Sequence, residues 1–170
     1  MPTMTVFGSA APKPGEPDYQ TAYELGHAAA TAGWTLCNGG YGGTMTASAA
    51  GARSAGGHTI GVTCTALGRP TPNEWIVEEV QTPDLLTRLR ELVTRGDAFV
   101  VLPGSTGTLL ELALVWELRN KRLLDDRSIC LLGAHWRAMA DLLPIESRFL
   151  KWFDRLPDLY AGLGFSEQTS

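Results

Sequence analysis

Apolar residues along the chain fall into short continuous runs separated by longer segments in which they recur at helical spacing. Met4-Thr-Val-Phe7, Trp34-Thr-Leu-Cys37, His58-Thr-Ile-Gly-Val-Thr63, Asp97-Ala-Phe-Val-Val-Leu102 and Ser128-Ile-Cys-Leu-Leu132 read as buried strands, each running into glycine, proline or small polar residues. Trp75 to Val80 is a sixth candidate. Between the runs, Asp18 to Ala32 carries Tyr19, Ala22, Tyr23, Leu25 and Ala29 at helical spacing and stops at Gly33. Thr44 to Ala55 is a small-residue helix able to pack very close to a sheet or another backbone. Pro83 to Arg95 is amphipathic, with Leu85, Leu86, Leu89, Leu92 and Val93 on one stripe and Pro83 suited to its first turn. Thr108 to about Arg119 is apolar on nearly all sides and reads as a buried helix. The stretch from Ala66 to Asn73 reads as an exposed loop. From His135 onward a helical pattern mixes with Pro144 and Pro157, and no element is assigned. Strands alternating with helices predict an α/β, Rossmann-like three-layer sandwich, a mostly parallel sheet with helices on both faces, over residues 1–170 as one domain.

Composition narrows the function. The 170 residues carry a formal net charge of −4 with no basic stripe, so a nucleic-acid partner is not expected. Cys37, Cys64 and Cys130 show no Cys-x-x-Cys spacing and read as small buried hydrophobes of a reducing compartment. His27, His58 and His135 lack metal-ligand spacing, and no metal site is expected. The chain opens with no secretory signal pattern and has no apolar stretch of membrane-spanning length. A cytoplasmic protein with no membrane partner is the expectation.

Three strand ends carry small-residue loops: Gly8-Ser9, Gly39 to Gly43, and Gly104 to Thr108. In a parallel sheet such loops converge beyond the carboxyl ends of the strands, which predicts one pocket lined by all three. A strand, a glycine-bearing turn and a helix start in succession can hold an anion on free backbone N–H groups. Glu111 is the single carboxylate of the central stretch, Leu102 to Glu111, and falls in the first turn of the expected helix. Two readings stand side by side there. Thr108-Leu-Leu-Glu111 fits a capping box with Thr108 as N-cap; alternatively the carboxylate is functional, since burying it costs free energy unless it is paired or hydrogen-bonded. The glycine cluster is not a dinucleotide fingerprint, because Met45 stands where the third glycine of Gly40-x-Gly42-x-x-Gly belongs, and neither loop supplies a Walker lysine. A compact anion such as a monophosphate suits these loops. Arg88 lies on the amphipathic helix with Arg90 and Arg95, where arginines are usually solvated.

With these residues in view, the chain resembles the LONELY GUY family of cytokinin-activating phosphoribohydrolases and their bacterial relatives. The family mark Pro-Gly-Gly-x-Gly-Thr-x-x-Glu is matched by Pro103 to Glu111 with Ser105 in place of the second glycine. Asp97 to Leu102 matches the family's preceding strand, Gly8-Ser9 its first loop, and Gly39-Gly-Tyr-Gly-Gly-Thr-Met45 resembles its Gly-Gly-Gly-x-x-Gly-Leu-Met loop. The likeness covers residues 4 to 133. The family pairs the glutamate with an Arg-Lys dipeptide on the preceding helix; here the arginine is Arg88, and Leu89 stands in place of the lysine.

The resemblance implies hydrolysis of the N-glycosidic bond of a nucleoside 5′-monophosphate, AMP or an N6-modified AMP, to free base and ribose 5-phosphate. It implies Glu111 and Arg88 as catalytic residues: the glutamate stabilises charge at the sugar carbon or orients water, and the arginine contacts phosphate or ribose or fixes Glu111 in its ionised state. Gly8, Ser9, Gly39, Gly40, Gly43, Thr44, Met45, Pro103, Gly104, Ser105, Thr106, Gly107 and Thr108 are the implied substrate- and phosphate-binding residues, with the Thr106 and Thr108 hydroxyls among the phosphate contacts. Neither cofactor nor metal is required, and a homodimer is implied. The alternative is a non-catalytic nucleotide-binding or sensing module of the same fold, which Leu89 and Ser105 favour.

Overall fold

A computed structural model describes residues 1–68, 71–143 and 147–165. Seven strands form one all-parallel sheet: β1 (Thr3–Phe7), β2 (Thr35–Asn38), β3 (Thr59–Cys64), β4 (Glu78–Thr82), β5 (Ala98–Val101), β6 (Ser128–Leu132) and β7 (Leu150–Phe153). Their order is β4-β3-β2-β1-β5-β6-β7. The chain winds outward from β1 to one edge, then returns through β5 to the other side of β1. The switch point therefore lies between β1 and β5, whose Val6 and Phe7 pair with Val100 and Val101.

Helices cover both faces, as expected. On one face α3 (Leu85–Arg95), α4 (Thr106–Asn120) and α5 (Arg137–Asp141) pack Leu92, Leu112, Val115 and Trp116 against Phe7, Phe99, Val101 and Ile129. On the other, α1 (Pro17–Thr31), α2 (Thr44–Ser54) and α6 (Leu156–Gly162) pack Leu25, Ala29, Ala47 and Leu159 against Met4, Val6, Leu36 and Val100. The small residues of α2 serve a close helix–helix contact. A Cβ on Gly26 of α1 would overlap the Ser48 carbonyl, and one on Gly51 of α2 would overlap the Tyr23 carbonyl.

Four expectations change. Pro83 lies outside α3, whose N-cap is Asp84; its carboxylate accepts from the Thr87 N–H (2.8 Å) and hydroxyl (2.8 Å), which draws its pKa below the ordinary carboxylate value. The fourth strand is Glu78–Thr82, later than Trp75–Val80, because Trp75 is tied into a bend by the Thr59 hydroxyl bonding its carbonyl (2.6 Å). The stretch after His135 resolves into α5, β7 and α6, with Pro157 in the first turn of α6; Pro144 lies outside the described residues. The fourth change concerns α4, which begins at Thr106 and not after Thr108. Cys37, Cys64 and Cys130 are free and buried, and burial pushes the Cys37 thiol up to about 12 and the Cys130 thiol to about 11. Among the described residues no helix is long and apolar enough to cross a membrane.

Candidate active site

The three glycine-bearing loops leave adjacent central strands β2, β1 and β5 at their carboxyl ends. The β2 loop is shaped by Asn38, fully buried, whose Oδ1 accepts from the Gly40 N–H (2.8 Å) and whose Nδ2 donates to the Met45 carbonyl (2.9 Å). Gly40 and Gly43 have φ of 76° and 63°, the left-handed region that glycine reaches without strain. Thr44 then binds the β1 loop, donating to the Ser9 carbonyl from its N–H (2.9 Å) and its hydroxyl (3.0 Å). Gly8 is glycine for a packing reason: a Cβ there would come within 2.5 Å of Thr44 Oγ1. The convergence of Gly8, Ser9, Gly43 and Thr44 is thus a hydrogen-bonded fact. The Thr44 hydroxyl is committed inside the fold, and Met45 lies with its sulfur beside Gly39.

The third loop corrects two readings. Ser105 is the N-cap of α4 and makes no side-chain cap bond; Thr106, Gly107 and Thr108 are the first three helical residues. Thr108 is therefore not the N-cap, and Glu111 sits in the second turn, too far along to close a capping box. The N–H groups of a helix's first turn have no partner within the helix, and Ser105, Thr106 and Gly107 stand exposed at that end. Thr108 is only 3% exposed and fills the space under Gly104, where a Cβ would overlap its hydroxyl oxygen. Thr106 is the exposed threonine of the pair. Helix α4 is also less buried than its composition suggests. Leu112, Val115 and Trp116 face the core while Leu110 is 43% exposed. The turn is propped from behind by residues just after β6. Trp136 Nε1 donates to the Leu102 carbonyl (3.0 Å), and His135 Nε2 lies 3.0 Å from the Gly104 carbonyl.

Arg88 departs from the ordinary solvated helix arginine. It is 8% exposed and reaches across the ends of β2 and β3, donating from Nε to the Val62 carbonyl (2.8 Å) and from Nη2 to the Gly39 carbonyl (3.1 Å). A Cβ on Gly39 would overlap Nη2, so the arginine itself requires glycine at that position. The guanidinium lies over the Tyr41 ring, 5.6 Å from its centroid. Nη1 faces Glu111, 3.9 Å from Oε1. This distance is an ion pair without a hydrogen bond. Burial dominates the glutamate and raises its carboxyl to about 7, while Arg88 pulls the other way without prevailing. Arg88 thus favours the ionised carboxylate while burial outweighs it, and the carboxyl is left to exchange a proton close to neutrality.

Sequence reasoning placed Arg88, Glu111 and the loops but missed Tyr41, His135 and Trp136. The signal for Tyr41 was its position as the one bulky side chain inside the glycine cluster. Leu89, in place of the resemblance's lysine, is buried and lines an apolar groove of about 530 Å³ between α3 and α4, with Leu86, Val93, Leu110, Leu114 and Leu118. Two lysines are engaged elsewhere, Lys121 with Glu117 (3.6 Å) and Lys151 with the Ser128 hydroxyl (2.9 Å).

Comparison with known proteins gives the family. The profile of the SLOG cluster4 family matches residues 1–135, which include Arg88, Glu111 and the three glycine-bearing loops. The chain belongs to the SLOG cluster4 family. The likeness to LONELY GUY proteins drawn from the Pro103–Glu111 motif is borne out. This SLOG cluster4 chain is 37% identical over 116 residues to a cytokinin riboside 5′-monophosphate phosphoribohydrolase of Mycobacterium tuberculosis (strain ATCC 25618 / H37Rv), covering 67% of the chain and 62% of that relative's length. Its fold is that of the molybdenum cofactor binding protein of Rippkaea orientalis, with a TM-score of 0.78 at 23% identity over 96% of this chain and 95% of that one. A Moco carrier protein of Chlamydomonas reinhardtii is similar at TM-score 0.75 and 25% identity, again over 96% and 95% of the two chains.

Proposed function

We propose that the protein hydrolyses the N-glycosidic bond of a nucleoside 5′-monophosphate, AMP or an N6-modified AMP, releasing the free base and ribose 5-phosphate. The observation that carries this reading is the Arg88–Glu111 pair, 3.9 Å apart with side chains 9% and 12% exposed, beside three loops of small residues at the sheet's carboxyl end. Support comes from the mycobacterial relative, whose name states that activity.

Cleavage of the glycosidic bond builds positive charge at the sugar carbon, and a nearby carboxylate stabilises it or orients the attacking water. Glu111 takes that role in its ionised form. The free N–H groups at the start of α4, with the exposed Thr106 hydroxyl, hold the 5′-phosphate, the helix dipole adding about 0.3–1 kcal/mol. Ser9 and the backbone of Gly39 to Gly43 line the other side of the substrate. Arg88 keeps Nη1 for an anionic or hydroxyl group of the nucleotide. The chemistry asks for neither metal nor cofactor. The working form is a cytoplasmic homodimer joined through the apolar groove of α3 and α4.

Turnover tests the reading. Purified protein is incubated with AMP, N6-isopentenyl-AMP, GMP, CMP and UMP, and released base is separated by chromatography. Base is expected with the wild type and a loss of roughly 10²–10⁴-fold in kcat with Glu111→Ala, the range for a positioned acid–base group. Since Glu111 acts ionised and titrates at about 7, kcat/KM should rise from pH 5 to 8; a flat profile excludes that role.

A second reading is a nucleotide-binding module without turnover. Buried Leu89, in the place of the lysine, favours it. A monophosphate that raises the melting temperature without being cleaved would select this reading over hydrolysis.

A further inference from the structure

The Arg88 guanidinium is surrounded unusually for a buried cation. Its two short contacts go to neutral carbonyls, Val62 (2.8 Å) and Gly39 (3.1 Å), and its central carbon lies over the Tyr41 ring, 5.6 Å from the centroid. The one carboxylate of the site stands off at 3.9 Å. Opposite charges in a low-dielectric site attract strongly, so contacts on the other sides of the guanidinium must keep the gap open.

Tyr41 is built to resist that pull. Its hydroxyl donates to the Cys64 carbonyl (3.2 Å) and accepts from the Cys64 N–H (2.8 Å), which locks the ring to the end of β3. Its main chain is held as firmly, because its carbonyl accepts from the Thr46 hydroxyl (2.8 Å) and from Asn73 Nδ2 (2.9 Å). Tyr41 is 6% exposed. The ring is a fixed platform presenting its negative π face to the cation, an attraction that strengthens when both partners are desolvated.

We propose that Tyr41 is a positioning residue that holds the Arg88 guanidinium back from a closed ion pair with Glu111, leaving the cation available to an anionic group of the substrate. The inference rests on the proposed nucleotide site but concerns the free protein, and so it is tested without turnover. With the platform removed, the guanidinium loses one competing partner and closes on the carboxylate. A closed pair favours the ionised carboxylate, so the Glu111 midpoint falls. Arg88 is the charged group that acts on Glu111, which makes the carboxylate a direct reporter of the gap.

The experiment is a carboxyl ¹³C NMR titration of glutamate-labelled protein, with Glu111→Gln identifying the resonance. Tyr41→Leu should lower the Glu111 midpoint by one pH unit or more. Tyr41→Met, similar in bulk and without a π face, should do the same and serves if the leucine variant does not fold. Tyr41→Phe keeps the face and should hold the midpoint within about a third of a unit. A merely structural tyrosine would lower the melting temperature in all three and leave the midpoint unmoved. An unchanged midpoint in the ringless variants overturns the proposal. A shift in the phenylalanine variant equal to that in the leucine variant overturns it too, because the hydroxyl tether would then be the cause. With AMP as substrate, the leucine variant should lose about tenfold in kcat/KM. If the wild type cleaves no monophosphate, the proposed function fails on that result, while the titration still decides the role of Tyr41.

Discussion

At Glu111 a carboxyl group sits behind the start of α4 with burial acting against its charge and one cation 3.9 Å away. Its value of about 7 lies above the 4.5 of a free side chain, so between those values the folded chain holds a proton that the unfolded chain releases. The stability contributed by the protonated carboxyl is fully present below about pH 4.5 and is lost as pH rises through 7. Glu111→Gln keeps the shape of the protonated acid and cannot ionise. The two proteins should therefore melt together at pH 4.5, and the glutamine variant should be the more stable at pH 8 by about 2–3 kcal/mol, from the size of the shift. Thermal melts across that range check it; equal melting temperatures at pH 8 would mean that Glu111 is not desolvated. A variant that gains stability while losing turnover is the usual mark of a strained functional group. The identity of this residue was legible in the sequence because a lone carboxylate between a glycine turn and an apolar helix stands out. Its depth was not. Ser105 and Thr106 carry the same start-of-helix chemistry as Thr108, so residue types alone did not fix which of them began α4.

Among the elements, the segment after β6 shows what periodicity cannot report. The sequence His135-Trp136 has no pattern of its own, yet it closes the back of the central turn through bonds to the Leu102 and Gly104 carbonyls. Trp136→Phe keeps most of the buried ring and removes the donor, leaving the Leu102 carbonyl without that bond. A loss of about 1–3 kcal/mol is expected, the cost of an unsatisfied buried group, together with weaker phosphate binding because the turn is less firmly held. Urea unfolding and AMP titration measure the two effects. A variant that loses stability but binds AMP as the wild type does would separate the prop from the site. The same blindness hid β7 and α6, which are only four and seven residues long, and displaced β4, whose residues Glu78-Glu-Val-Gln-Thr82 form a polar edge strand with no apolar run to mark it. The central strands β1, β2, β3, β5 and β6 were legible because burial on both faces makes them continuous in apolar residues.

For the molecule as a whole, the alternation of strands and helices was enough to foresee a parallel sheet covered on both sides, with the glycine-bearing loops at the strands' carboxyl ends. It could not foresee which helix faces remain uncovered, since the stripe that meets the sheet and the stripe that meets nothing are both leucine-rich. In the folded chain Leu86 is 78% exposed, Leu110 is 43% exposed and Leu123 is 72% exposed, all around the groove between α3 and α4. Contiguous exposed leucines of this kind mark an interaction surface, and the proposed homodimer places them against the same surface of a second copy, as a twofold contact requires. Leu86→Asp with Leu110→Asp puts two carboxylates from each copy into that contact and leaves both side chains in water in the monomer. Light scattering after size exclusion should give about twice 18.3 kDa for the wild type and 18.3 kDa for the double variant, with the circular dichroism unchanged. A wild type that runs as a monomer at tens of micromolar would refute the proposed contact. Because Leu89 and Leu110 adjoin Arg88 and Glu111 in sequence on the same two helices, the monomeric variant should also lose turnover; retained activity would show that one chain completes the site alone.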